Sequence, residues 1–309
     1  MSLRSVAVRV EEMRDGEMLR LFAGLSDVHI QCACVPRLLP AATAEGVLWQ
    51  AAPSQFLLHV PGVARFLVEF GRSITIEPEP GSSPSERWRF LRMTPLAALL
   101  YQRGALAFHA AAASSKGAVL LAGDSGAGKS ALLMALLERG WTMLADELAF
   151  VDLDSLGTAQ VAPTFPDIRL WRKSLGNPTS ESEHDSASSW RTVSMTDQFP
   201  SSPRALRAIV WLTVHNDHQI EIRELDGMER FRSLALLTYN SHIADALLDR
   251  AQYLRQAGHI ARSCRFWKLC RPRGRDTVAE LADWMCTEMP VQDGSRRSAN
   301  SAVEAGAAP

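Results

Sequence analysis

The residues best suited to chemistry form one glycine-rich loop. In chain order they are Gly123, Asp124, Ser125, Gly126, Ala127, Gly128, Lys129 and Ser130. The order matches the pattern G-x-x-x-x-G-K-[ST], in which backbone N–H groups surround the phosphates of a nucleotide. Glycine permits the backbone conformations and the close approach to an anion that such a loop requires. Lys129 can offer its charge to the phosphates and Ser130 its hydroxyl to Mg²⁺, so the loop predicts ATP and Mg²⁺ as cofactors.

Two adjacent acids, Asp146 and Glu147, follow on or at the end of the next predicted strand. One carboxylate there can hold Mg²⁺ through water, and the other can accept a proton from an attacking hydroxyl. Neighbouring residues of a strand face opposite sides, so both acids serve one site only if the strand ends there. The alternative is that one of them is an ordinary solvated acid.

The elements around the loop must place these groups together. The apolar run 117–122 predicts a buried strand that leads into the loop, and 108–112 predicts another strand. A helix over 130–139 ends at Gly140, which suits its C-terminal position. The stretch 143–152 then returns as a strand. Strand, glycine loop, helix and strand form the α/β phosphate-binding pattern.

The rest of the chain supplies further elements. Short alternating runs over 47–78, with a turn at Gly71, predict a small antiparallel β unit. A helix over 85–103 is expected to kink or split at Pro95. The later part predicts a hairpin of strands 208–214 and 219–225, then helices over 227–239, 243–256 and 276–287.

We therefore divide the 309 residues into an N-terminal β-rich unit, 1–82, a catalytic domain, 83–290, and a disordered tail, 291–309. Within the catalytic domain, 176–203 is rich in Ser, Thr and Pro and predicts a mobile loop.

Composition excludes several classes of protein. A net charge of -1 gives no general attraction to nucleic acid or to an anionic membrane. The five cysteines show no CxxC spacing, which favours free thiols in a reducing cytoplasm. The N-terminus lacks an apolar signal core. The run 46–64 carries prolines and amides that make a poor membrane helix. We expect a cytoplasmic protein with no nucleic-acid or membrane partner.

The motifs resemble the catalytic domains of bacterial HPr kinase/phosphorylases. The matching residues are His109, the loop GDSGAGKS at 123–130, Arg139-Gly140 and LADE at 144–147. The spacing from the lysine to the acid pair also agrees. The resemblance implies an α/β P-loop kinase core of the type shared with phosphoenolpyruvate carboxykinase, preceded here by the antiparallel β unit.

A closer resemblance is to HPr-kinase-like proteins encoded with lasso peptides. It covers about 45–290 and includes the stretches 61–81, 99–113 and 163–171. It implies ATP-dependent phosphorylation of a serine on a ribosomal precursor peptide, typically at its C-terminus. HPr kinases assemble into hexamers, so the resemblance is compatible with a homo-oligomer.

The resemblance also implies roles for the acids. The second acid of the pair is the general base in HPr kinases, and this position is Glu147 here. The family has Asp at that position, which is one methylene shorter. The base is therefore open between Glu147 and Asp146, and Asp146 joins Ser130 as a metal ligand.

Two further residues take expected roles from the family. His109 corresponds to a histidine that lies beside the phosphates, and its alternative is a hydrogen-bonded histidine at a strand end. Arg169 falls where the family has an arginine for substrate or phosphate, and its alternative is a surface salt bridge. Lys129 completes the predicted catalytic set.

One departure argues against HPr itself as the acceptor. The family carries a signature for protein recognition and phosphorolysis after the acid pair, and 155–175 does not contain it. An HPr-type protein kinase/phosphorylase and a non-catalytic nucleotide-binding module remain the alternatives. An exposed strand edge in the N-terminal unit is our hypothesis for the peptide-docking element.

Two other polar stretches predict ordinary structure. The run 215–218, HNDH, favours a polar turn over a metal site. The basic and aromatic run 264–275 favours a solvated face after a strand over a partner-binding surface.

Overall fold

The computed structural model describes residues 9–11, 28–171, 190–195 and 199–288. Its strands are β1 (Arg9–Glu11), β2 (His29–Cys32), β3 (Ala44–Glu45), β4 (Trp49–Ala52), β5 (Gln55–Val60), β6 (Ala64–Glu69), β7 (Ser73–Pro78), β8 (Leu106–Phe108), β9 (Ala110–Ser114), β10 (Ala118–Gly123), β11 (Thr142–Ala145), β12 (Ala149–Leu153), β13 (Ala159–Val161), β14 (Asp167–Trp171), β15 (Trp190–Ser194), β16 (Arg204–His215), β17 (Glu221–Leu225) and β18 (Arg265–Pro272). Its helices are α1 (Pro84–Leu91), α2 (Thr94–Gln102), α3 (Lys129–Leu137), α4 (Gly227–Leu237), α5 (Ser241–Leu247), α6 (Arg250–Ser263) and α7 (Val278–Glu288). The class is mixed α/β, as predicted.

The first sheet has the order β1-β2-β7-β6-β5-β4-β3. Strands β3 to β7 pair antiparallel, and the predicted turn between β6 and β7 is confirmed, with Gly71 at φ +63°. Strands β1 and β2 add in parallel beside β7. The antiparallel pairing predicted over 47–78 is therefore confirmed, but the sheet as a whole is mixed, because β1 and β2 were not predicted. Its two outermost described strands have only three and two residues, which leaves a short template for an added peptide strand.

The helix predicted over 85–103 is two helices. Ser83 and Glu86 form a capping box at the start of α1, which ends at Leu91. Pro95 lies in the first turn of α2, where its missing N–H costs no hydrogen bond, so the predicted split is confirmed. Helix α2 is buried along most of its length and packs on β6. No helix in the described part of the chain is long and apolar enough to span a membrane.

The second sheet places the glycine loop at its centre. The order begins β11-β9-β10-β16, and β18 pairs with β16 and then with β17. Strand β9 runs antiparallel to both β10 and β11, whereas β16 is parallel to β10 and β18 is parallel to β16. Four strands, β11, β10, β16 and β18, therefore point the same way. Their carboxyl ends meet at one edge of the sheet, where open α/β sheets bind ligands.

The predicted hairpin of 208–214 and 219–225 was wrong. Strands β16 and β17 do not pair, because β18 lies between them. The run 264–275 is consequently not a solvated face, since most of it forms this interior strand, with Phe266 and Leu269 buried. The pairing of β16 with β18 joins residues far apart in the chain, so it leaves no local signal in the sequence. Two β-like runs that follow each other, such as β16 and β17, look like a hairpin.

Two other predictions need correction. The helix expected over 243–256 is α5 followed by α6, because the Asp249 side chain accepts from the Gln252 N–H and starts a new helix. In the predicted mobile loop 176–203, residues 190–194 form β15, which pairs with β14. The tail 291–309 and most of that loop lie outside the described residues. The domain boundaries stay a prediction.

One hydrophobic core crosses the predicted boundary between the first two domains. It joins Phe56, Phe66 and Ile74 of the first sheet to Leu99 of α2 and Leu120 of β10. Deletion of the first sheet would therefore expose buried residues of α2. Such a variant would not test peptide docking alone.

We expect Phe66→Ala to destabilise the whole chain. The side chain is fully buried, so its loss should lower the free energy of unfolding by about 3–5 kcal/mol. Urea unfolding followed by tryptophan fluorescence and by far-UV circular dichroism should show one shifted transition. The matched control is Phe70→Ala, because Phe70 is 67% exposed. Two transitions, with only one of them shifted, would show that the sheets unfold independently.

Candidate active site

The glycine loop turns sharply between β10 and α3. Gly123 has φ +144°, and a Cβ on it would clash with the Leu212 carbonyl oxygen of β16, so no other residue fits. Gly128 has φ +102° and immediately precedes the first residue of α3. The N-terminus of α3 therefore faces the inside of the loop, where backbone N–H groups favour an anion.

Lys129 is buried inside the loop, with 7% of its surface exposed. Its Nζ donates to the carbonyl oxygens of Gly123 and Asp124, at 2.8 and 3.0 Å. Burial lowers the pKa of the ammonium group, and the nearby carboxylates, first that of Asp146, partly oppose this. The ammonium group therefore lies inside the loop. A bound phosphate could replace the loop carbonyls as its hydrogen-bond partner.

The acid pair lies at a break between two strands, so the single strand predicted over 143–152 was wrong. Strand β11 ends at Ala145 and β12 begins at Ala149, and Glu147 between them has φ +68°. Strand β11 pairs with β9, whereas β12 pairs with β8 and β13. The break lets both acids face one cavity, as the sequence argument required. Strand β9 separates β11 from β10, so the acids do not follow a direct neighbour of the loop strand.

His109 lies at a matching break, so the strand predicted over 108–112 is also divided. Strand β8 pairs with β12 and β9 pairs with β10 and β11, so the chain changes partners at His109. Burial is the main cause that lowers the pKa of the imidazole, and the charge of Lys129 adds to it. The lowered pKa favours the neutral imidazole, although the charges of Glu147 and Asp124 oppose this. Its ring meets that of Tyr239 edge-on, with centroids 6.3 Å apart.

Asp146 connects the start of α3 to β14. Its Oδ1 accepts from the Ser130 hydroxyl at 2.9 Å, and its Oδ2 accepts from the Arg169 backbone N–H at 2.9 Å. The carboxylate is only 5% exposed. Burial is the main cause that raises its pKa from 3.8 to about 6, while these two hydrogen bonds lower it and the charge of Glu147 raises it.

Ser130 and Asp146 fit the magnesium ion that the loop motif implies. Both offer oxygen, which this hard cation prefers. Ser130 Oγ and Asp146 Oδ1 lie 2.9 Å apart in one cavity, so both could contact the same ion.

Two arginines hold Glu147. Arg169 Nη1 lies 3.1 Å from Glu147 Oε1, and Arg92 Nη2 lies 3.5 Å from Glu147 Oε2. Arg92 also pairs with Asp167 at 3.1 Å and lies over the ring of Phe165. Arg169 thus contacts both acids, through its backbone and through its side chain. Arg92 was not predicted, because it lies far from the acids in sequence and follows α1 without a local motif.

These groups line a cavity of about 340 Å³. Its lining residues are His109, Ser125, Gly126, Gly128, Lys129, Ser130, Ala131, Asp146, Glu147, Arg169, Arg271, Asp276 and Val278. The structure therefore brings all five residues of the predicted catalytic set together. Of the predicted loop residues, Gly123, Asp124 and Ala127 shape the loop but do not line the cavity.

Arg271 of β18 is a second contact that the sequence did not predict. Its Nε donates to the Ala127 carbonyl oxygen at 2.7 Å, and its Nη2 donates to that of Gly126 at 3.1 Å. A guanidinium on these carbonyls fixes the direction of the peptide groups and so directs loop N–H groups inward. The basic run 264–275 was the available signal, but its place in the sheet could not be read from it.

The polar turn predicted at 215–218 lies between β16 and β17. His215 Nδ1 is 3.1 Å from Asp217 Oδ2, and the Glu221 carboxylate is near both. Both acids are exposed, so the hydrogen-bonded turn accounts for the group.

Comparison with known proteins gives similar solved structures, but no family. No protein-family model matches the chain, and no curated protein matches it. Among solved structures, the HPr(Ser) kinase/phosphatase from Coxiella burnetii is similar with a TM-score of 0.31 and 11% sequence identity. The match covers 59% of this chain and 95% of that one. A score this low establishes nothing about activity, so the residues of the site carry the functional argument.

We expect Asp146→Asn to make the metal-free protein more stable above pH 6. The folded pKa is about 6 and the ordinary value is 3.8, so the folded state binds the proton more tightly than the unfolded state. Folding stability therefore falls as pH rises between these two values. The asparagine cannot ionise and avoids this loss, which amounts to at most about 3 kcal/mol.

Urea unfolding in EDTA at about pH 4 and about pH 7.5 would measure the difference. The gain should appear at the higher pH and vanish at the lower one. Asp283→Asn is the matched control, because Asp283 is exposed and pairs with Arg139 on the surface. An equal effect of Asp146→Asn at both pH values would contradict the raised pKa.

Proposed function

We propose that this chain is an Mg-ATP-dependent phosphotransferase that phosphorylates a serine hydroxyl of a lasso-type ribosomal precursor peptide. One observation carries the phosphotransferase assignment. The phosphate-binding loop and both acids open into one cavity, and the Ser130–Asp146 hydrogen bond of 2.9 Å ties them together. A nucleotide-binding module needs the loop, but it does not need a second acid beside the phosphates.

The loop residues bind and orient the phosphates. Backbone N–H groups at the start of α3 donate to phosphate oxygens, and the Lys129 ammonium leaves the loop carbonyls for them. Mg²⁺, when bound, supplies positive charge that stabilises the transferring phosphoryl group. Ser130 and Asp146 would hold it. The neutral imidazole of His109 can donate a hydrogen bond to the same phosphates without adding a charge.

The two acids differ in environment, and this separates their roles. Asp146 is buried and already bonded to Ser130, so we assign the metal to it. The Glu147 side chain is 22% exposed and lines the cavity, so an acceptor hydroxyl can reach it. Glu147 is therefore the general base. Arg92 and Arg169 position its carboxylate, and they compensate its negative charge when no substrate is bound.

The acceptor class comes from the sequence resemblance. The stretches 61–81, 99–113 and 163–171 resemble kinases encoded with lasso peptides, which act on a serine of the precursor, typically at the C-terminus. The absence of the HPr-recognition signature from 155–175 supports a peptide rather than HPr. The cytoplasmic location and a homo-oligomeric state accompany this proposal as expectations.

The test is phosphate transfer measured by mass spectrometry. Lasso precursor peptides ending in serine, and HPr, are incubated with the full chain and Mg-ATP. We expect one mass increment of a phosphoryl group on the peptide serine and none on HPr. Lys129→Ala should abolish transfer, whereas Lys116→Ala should not, because Lys116 is an exposed lysine outside the cavity. Transfer to HPr instead would overturn the peptide assignment. ATP hydrolysis with no phosphate on either acceptor would overturn the kinase assignment.

Glu147→Gln separates the base from the binding site. The amide keeps the shape, and its oxygen can still accept from Arg169, but it loses the contact to Arg92 and cannot take a proton. We expect kcat to fall by about 10²- to 10⁴-fold, with the Kd of Mg-ATP nearly unchanged. Glu138→Gln, at the exposed end of α3, is the matched control. A kcat within a factor of about two of the unsubstituted chain would remove Glu147 from the reaction.

A further inference from the structure

We propose that Asp276 and Val278, together with Arg271, form the nucleoside end of the cavity, and that the Asp276 carboxylate binds the ribose hydroxyls of the nucleotide. The inference rests on the proposed function, because it assumes that the loop holds a nucleoside triphosphate. Asp276 and Val278 take no part in phosphate binding or proton transfer, and the inference gives this part of the cavity a role.

The sheet order gives the cavity two opposite ends. The loop follows β10, and the acids follow β11, which is separated from β10 by β9. Arg271 lies on β18, which is separated from β10 by β16 on the other side. These strands point the same way, so the acids and Arg271 reach the same edge of the sheet on opposite sides of the loop. The phosphates must therefore lie between an acidic end and an end formed by Arg271, Asp276 and Val278.

The triphosphate has only one orientation that fits these ends. In this loop type the lysine and the hydroxyl residue act on the β- and γ-phosphates. Ser130 is bonded to Asp146, so the γ-phosphate lies toward the acids. The α-phosphate and the nucleoside must then extend the other way, toward β18 and the start of α7.

The residues at that end suit a nucleoside. Arg271 is fixed on the Gly126 and Ala127 carbonyl oxygens, so its charge lies beside the α-phosphate end of the loop. Val278 is half-buried and offers an apolar contact. Asp276 is exposed to the cavity, and its Oδ1 accepts from the Val278 N–H at 3.0 Å. That bond fixes the carboxylate, and its other oxygen is the acceptor that we assign to ribose.

The chemistry of a ribose explains why an acid is acceptable there. A carboxylate would repel the phosphates, but ribose presents two neutral hydroxyl donors. Carboxylates bind ribose hydroxyls in this way in dinucleotide-binding folds. Arg271 lies close enough to Asp276 for their charges to interact, which limits the repulsion of the α-phosphate by the acid.

Calorimetric titration of the full chain with three probes tests the assignment: Mg-ATP, Mg-2′,3′-dideoxyATP, which lacks both hydroxyls, and Mg-tripolyphosphate, which lacks the nucleoside. We expect the unsubstituted chain to bind ATP at least about tenfold more tightly than the dideoxy analogue. Asp276→Asn can keep the bond to the Val278 N–H through its amide oxygen, but it loses the charged acceptor. It should bring the two Kd values within about a factor of two while leaving the tripolyphosphate Kd unchanged. Asp283→Asn, on helix α7 that follows Asp276 but outside the cavity, should change none of them.

Each other outcome overturns the inference. Equal binding of ATP and its dideoxy analogue by the unsubstituted chain would show that Asp276 binds no ribose, although the phosphate-binding loop would stand. An equal loss of ATP and tripolyphosphate affinity in Asp276→Asn would show that Asp276 supports the loop instead. No binding of any probe, with Lys129→Ala indistinguishable from the unsubstituted chain, would remove the proposed function together with this subsite.

Discussion

The hydrogen bond between the buried Asp146 carboxylate and the Ser130 hydroxyl is the interaction on which the site depends. A carboxylate that loses its water must be compensated by hydrogen bonds, a cation or a proton. Here a hydroxyl and a backbone N–H compensate it, and its pKa of about 6 shows that they do so only in part. Magnesium would complete the compensation. The acid therefore makes the empty site less stable, and a bound cation would offset that cost.

Two other residues of the site are also in unfavourable environments or conformations. Lys129 is buried, with a lowered pKa, and Glu147 has a left-handed backbone that is uncommon for any residue except glycine. Long-range contacts hold these groups in place. Arg92 arrives from the end of α1, Arg169 from β14 and Arg271 from β18. The parallel strands bring the loop and its flanking groups to one edge, which is why a site of distant residues can be fixed by one sheet.

The sequence predicted the parts of this site that local chemistry determines. The loop was recognisable because every residue of the motif has its own physical role, and Pro95 marked the division between α1 and α2 for an equally local reason. The break at Glu147 was not predicted, because the chain there changes strand partners and only the tertiary structure imposes a positive φ. The position of β18 was missed for the same reason, since its parallel pairing with β16 joins residues far apart in the chain. Arg271 could be predicted only once that strand was in place. Asp249 did carry a local signal, because a helix-capping acid stood at the division between α5 and α6.

The most direct measurement of the central claim is electron paramagnetic resonance of Mn²⁺, substituted for Mg²⁺, on the full chain with a non-hydrolysable ATP analogue. If Asp146 and Ser130 hold the metal while Glu147 serves as the base, the chain binds Mn²⁺ in the presence of the nucleotide. Glu147→Gln should retain that signal at the same affinity, and Asp146→Asn should weaken it about tenfold or more. Equal Mn²⁺ affinity in Asp146→Asn and the unsubstituted chain, or a loss confined to Glu147→Gln, would contradict the division of roles between the two acids.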